Sequence, residues 1–203
     1  MEKQTNWRRL FPLVCTSLAI VIGLLTFAGW ISGFSILASV RAKYIPMAPS
    51  TALCFSLIGI GVALQLTRST LRWFVSLLSA IVFTIACAKL AEFFWGINFG
   101  IDAWFVRNPG TFGAVPTGRM SPITAANFIF TAAGLLALAK TRLRRSAGIF
   151  GAVAAAVATV VVTGYCYGTP LLYGGTVIPV ALPTACAFLL CGVAIVTSAG
   201  VEQ

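Results

Sequence analysis

Lys89 and Glu92 stand three residues apart in an otherwise apolar run, and Asp102 follows shortly after its end. Side chains three apart share one helix face, so this ammonium and carboxylate can meet. A charge in a membrane-length apolar run costs about 2.5–3.5 kcal/mol on insertion scales, so it pairs, snorkels or serves a function. Two readings stand side by side: an ion pair that fixes how the helix packs or snorkels, and a ligand- or proton-responsive group. Arg119 is the competing cation for Glu92. Its planar fork suits a carboxylate bidentately and would join two helices, so the sequence favours Arg119 over Lys89 as the partner.

The remaining chemical inventory is thin. Histidine is absent and the acidic residues number four, of which Glu2 and Glu202 are terminal. The commonest metal ligand and general base is therefore missing, and paired-carboxylate catalysis has little material. The cysteines Cys15, Cys54, Cys87, Cys166, Cys186 and Cys191 form no CxxC and fall mostly in apolar runs, so no disulfide framework is expected. No phosphate-cradling glycine loop or nucleophile elbow occurs. No catalytic residue, metal site or cofactor is expected, and the chain does not read as an enzyme.

The elements that must position these charges follow from composition. Apolar residues make up 59% of the chain and charged residues 9%, and the mean hydropathy is +0.98. A soluble domain is nearer half apolar and a quarter charged, so this is read as one integral membrane domain over residues 1–203. Six spans are expected, at about 10–31, 49–67, 73–95, 122–138, 148–164 and 183–198, giving an all-α polytopic fold. The run after Arg8 and Arg9 lacks a small-residue cleavage site and is expected to remain as a span. Trp7 and Trp30 bracket the first span and Trp73 and Trp95 the third, as interfacial anchors do.

The net charge of +10 lies in short clusters between apolar runs, which signals topology rather than nucleic-acid binding. Lys3, Arg8, Arg9, Arg68, Arg72, Lys140, Arg142, Arg144 and Arg145 fall on one side, and Arg41, Lys43, Arg107 and Arg119 on the other. Both termini are then cytoplasmic in an inner (cytoplasmic) membrane. The outer connections hold the tyrosines, and the one from Gly96 to Arg119 is the longest.

One pattern recurs three times. Pro49-Ser50-Thr51-Ala52 through Phe55 returns as Pro122-Ile123-Thr124-Ala125 through Phe128, and more loosely as Pro183-Thr184-Ala185 through Phe188. Proline suits a first helical turn, and a Ser or Thr hydroxyl there can accept from a free N–H. Thr and Phe four apart share a face, so each copy presents the same stripe. The three copies predict three related helical hairpins, with Thr51, Thr124 and Thr184 in the first turns at one outer face. Asn127 is expected to bond across helices.

The segment Glu92-Phe93-Phe94-Trp95-Gly96-Ile97-Asn98-Phe99-Gly100-Ile101-Asp102, followed by Gly118-Arg119-Met120-Ser121-Pro122 through Phe128, resembles the N-terminal multi-span membrane region of bacterial sensor proteins. Tyr167-Gly168 through Tyr173-Gly174 is similar to the last hairpin of that family. In the family this region precedes PAS, histidine-kinase or diguanylate-cyclase domains. The resemblance implies a non-catalytic sensory or regulatory module, either an input region or a free-standing relative with a separate partner.

The residues singled out for a signal or ligand site are Glu92, Asp102, Arg119, Lys89, Trp95, Trp104, Tyr167 and Tyr173. The aromatic outer loops would suit a bound lipid or quinone. Expected partners are the bilayer and a protein partner or second copy through transmembrane helices, with no nucleic acid. The pairs Gly148 with Ala152 and Gly151 with Ala155 would allow close helix approach, which keeps open the alternative of a structural or accessory subunit of a larger complex. A small transporter stands third, because three hairpins do not make an inverted pair of halves.

Overall fold

The computed structural model describes residues 2–34, 36–41, 43–106, 110–112, 115–172, 175 and 177–200. Seven α-helices are described: α1 (Glu2–Ser32), α2 (Ile36–Ser39), α3 (Pro49–Thr67), α4 (Arg72–Trp95), α5 (Pro122–Leu138), α6 (Arg144–Cys166) and α7 (Leu182–Ala199). The strands β1 (Thr111–Phe112) and β2 (Val115–Pro116) pair antiparallel in the long α4–α5 connection. The fold is all-helical apart from that ribbon.

Five helices are long and apolar enough to cross a membrane, and α5 is a shorter apolar helix. The sequence leads one to expect six such spans. At 17 residues, α5 is about 26 Å long, a little under the ~30 Å hydrocarbon core. Its faces explain the tolerance: it packs against α3, α4, α6 and α7, so protein covers most of it.

The long helices form two shells. α3, α5 and α7 all touch one another, while α1 packs on α3 and α7, α4 on α3 and α5, and α6 on α5 and α7. Burial follows the same division. The apolar stretches of α3 and α7 are each 56% buried, against 33% for α1 and α4 and 28% for α6. The outer helices turn Leu18, Leu24, Leu77, Ile81, Ile149 and Val160 outwards, as lipid-facing surfaces do.

At the centre, Phe55, Phe128 and Phe188 form a triangle of rings, with centroids 4.6–4.7 Å apart. All three are fully buried. Each lies four residues after a motif threonine, so one helical turn separates the ring layer from the threonine layer. Glycines let the helices close around it: a Cβ on Gly61 would meet Leu135, and one on Gly59 would meet Ile20. Polar side chains stitch the helices to backbone carbonyls. Asn127 Nδ2 donates to Ala154 O at 3.2 Å, Ser79 Oγ to Ala132 O at 2.6 Å, and Gln65 Nε2 to Leu138 O at 3.2 Å. Trp30 Nε1 likewise donates to Met47 O at 2.8 Å.

The helix starts differ from expectation in one respect. The N-caps are Ala48, Ser121 and Ala181, and none makes a side-chain capping bond. The motif threonines sit at the third helical position, already inside the turn they were expected to cap. The three caps share one backbone conformation, with φ of −68°, −66° and −67° and ψ of 148°, 144° and 147°.

Candidate functional site

The charges gather where α4 ends and α3 begins. Lys89 Nζ lies 2.6 Å from Glu92 Oε2 and 2.7 Å from Asp102 Oδ2. Lys89 is only 5% exposed, deep for an ammonium, and the two carboxylates provide the compensation that burial demands. Glu92 uses its second oxygen, Oε1, to accept from the Phe99 N–H at 2.9 Å. Asp102 Oδ1 accepts from Ser50 Oγ, in the first turn of α3, where a carboxylate meets the favourable end of the helix dipole.

The sequence between these acids is the device that brings them together. Gly96 caps α4 in the left-handed conformation at φ +67°, a position that suits glycine. Asn98 Oδ1 then accepts from the Gly100 N–H at 2.9 Å, a local turn by a side chain suited to it. Gly100 itself has φ +71°, and the short 3-10 turn Asp102–Trp104 follows. The chain thus doubles back and delivers Asp102 onto Lys89. The spacing of the Glu92–Asp102 segment is explained by this loop.

Arg119 does not pair with Glu92, contrary to the sequence expectation. Among the described residues the ion pairs are those of Lys89, and Arg119 is exposed. The reason is geometric. Lys89 lies one turn from Glu92 on α4, and with the Phe99 N–H it gives each Glu92 oxygen a partner without a distant fork. Arg119 instead faces the cluster across a half-open cavity of about 320 Å³. That cavity is bounded by Lys89, Glu92, Phe93, Ile97, Arg119 and Ile178 among others. Its size falls in the range of small-molecule sites, and its walls combine apolar surface with opposed charges.

The other expected site residues lie elsewhere. Trp95, Trp104 and Tyr167 are 73%, 82% and 80% exposed and do not line this cavity. Single amphipathic rings at helix ends have this exposure when they sit at a membrane interface. Tyr173 lies outside the described residues. Two contributors escape sequence reasoning: Ser50, the hydrogen-bond donor to Asp102, and Asn98, on the cavity wall. Ser50 had one signal. It is a polar residue at a motif position where the other two copies have Ile123 and Pro183.

Of the two small-residue pairs of α6, one is used within the chain. A Cβ on Gly151 would lie 2.9 Å from Gly192 O, and one on Gly192 would lie 2.9 Å from Ala155 Cβ. Gly151 and Ala155 therefore form the contact with α7 rather than an open face for another subunit. Comparison with protein families, with curated proteins and with solved structures finds no match.

Proposed function

We propose that this chain is a non-catalytic sensory or regulatory membrane module of six spans, built as three related hairpins with both termini in the cytoplasm. The helices α3, α5 and α7 then begin at the outer face of an inner membrane, and the Lys89 cluster lies at that face. The observation that carries this reading is the cavity of about 320 Å³ between Glu92 and Arg119. Its occupant is an amphipathic molecule of quinone or lipid type, with a polar head between Glu92 and Arg119 and an apolar body against Phe93, Ile97 and Ile178. A polar head that engages Glu92 competes with Lys89 and the Phe99 N–H. That competition alters how α4 is held against α3, and the inner helices pass the change to the far end of α7. The resemblance of the Glu92–Asp102 segment to bacterial sensor membrane regions agrees with this role.

The test uses the purified full chain with a short-chain ubiquinone and, separately, with phosphatidylglycerol. One of the two should raise the unfolding temperature, and Ile97→Trp, which fills the cavity, should abolish that rise. Spin labels at Thr141 and Gly200 should change separation on binding. No response to either probe, or a response that survives Ile97→Trp, overturns the assignment.

A further inference from the structure

Beside the ligand cavity, with which it shares Arg119, we infer that the three motif copies together build a binding site for one small anion of chloride or oxygen-atom size. Thr51, Thr124 and Thr184 come from three different hairpins and line one small cavity, together with Ser121 and Arg119. The N-termini of α3, α5 and α7 meet there. Each of these helices has 17 or more residues. The first N–H groups of a helix have no intrahelical carbonyl, and here none is capped by an N-cap side chain. Three starts without a capping side chain converge on this cavity and concentrate positive potential, reduced at α3 by the Asp102 carboxylate on Ser50, the arrangement that binds anions at helix N-termini.

A second observation points to a ligand independently of the dipoles. Ser121 is 4% exposed, lines this cavity, and its buried Oγ has no hydrogen-bond partner among the described residues. A buried hydroxyl left unpaired costs about 1–3 kcal/mol, so a site that kept one empty would be penalised. An anion accepts that hydroxyl proton. Arg119 adds a full positive charge at the rim. Lys89 balances one of the two nearby carboxylates and Arg119 offsets the other, and neither Glu92 nor Asp102 lines this cavity.

Size selects within the class. The free volume is about 10 Å³, close to what a single water-sized sphere needs. A whole phosphate or sulfate is too large to enter, one oxygen of a larger anion whose body stays outside fits, and a halide, larger than water, fits as the half-open mouth widens slightly.

The test begins with the full chain in chloride-free gluconate buffer, titrated with bromide. Wild type should show a saturable rise in unfolding temperature. Ser121→Ala should fold with undiminished stability in gluconate, since its hydroxyl holds nothing there, but should need about tenfold more bromide or greater, the loss of one charge-assisted hydrogen bond. Crystals of wild type grown in bromide should carry an anomalous peak between Ser121 and the three threonines. Such a peak identifies a free halide. Phosphate or carboxylate density that enters past Arg119 instead identifies an oxygen of a larger anion at the same site. Water alone in the cavity, or an equal bromide response in wild type and Ser121→Ala, overturns the inference.

Discussion

The Lys89 ammonium lies 2.7 Å from Asp102 Oδ2, across the loop that follows α4, and 2.6 Å from Glu92 Oε2 on its own helix. One cation therefore separates two carboxylates that would otherwise repel, and the three charges tie the end of α4 to the returning loop. Through Ser50 the tie extends to the start of α3.

Removing the shared cation should cost more than removing either acid. Lys89→Met leaves two carboxylates together in a poorly solvated place and should lower stability by about 3–5 kcal/mol. Asp102→Asn should cost less, and the double variant should be less impaired than the sum, because the pair is coupled. Arg119→Gln should change stability by about 0.5 kcal/mol or less, as expected for an exposed side chain. Unfolding in detergent followed by intrinsic fluorescence measures all four. A loss for Arg119→Gln as large as that for Lys89→Met would contradict the observed pairing.

The ring triangle should dominate core stability. Phe128→Ala removes one of three mutually packed, fully buried rings and should cost about 3–5 kcal/mol. Phe130, two residues on and 37% exposed, belongs to the outward surface. Phe130→Ala should shift stability by about 0.5 kcal/mol or less. Comparable losses for the two would place the core elsewhere.

Gly192 should tolerate no side chain. A Cβ there would stand 2.7 Å from Gly151 O and 2.8 Å from Ala155 N, both backbone atoms that cannot rotate away. Gly192→Ala must push α6 from α7 and should cost about 1–3 kcal/mol through overpacking. By contrast, Gly148→Ala meets only Ala199 Cβ at 3.6 Å, ordinary contact. A crosslink between cysteines placed on facing positions of α6 and α7 should slow in Gly192→Ala and keep its rate in Gly148→Ala.

The proposed orientation has a direct check. In a Cys166→Ala background, which removes the exposed native thiol, a cysteine at Thr111 should react with an impermeant maleimide added outside cells. A cysteine at Thr141 should react only after permeabilisation. Reversal of the two would place the basic loops outside and overturn the orientation.

What the sequence determined by itself was local. The starts of α3 and α5 at Pro49 and Pro122 were legible because proline and the apolar run that follows act within one or two turns. Glu92 and Lys89 could be placed on one face from spacing alone. The hydrogen bond from Asn127 to another helix was also legible, since a polar amide in an apolar run must find a partner. The choice between Lys89 and Arg119 was not, because it depends on where the loop returns Asp102. That return is set by left-handed backbone at Gly96 and Gly100 and by the Asn98 turn. Likewise the sequence showed three similar helix starts, but not that Thr51, Thr124 and Thr184 line one cavity. Only the packing of α3, α5 and α7 against one another decides that. Residues far apart in the chain meet through the summed shape of many side chains, which no local pattern encodes.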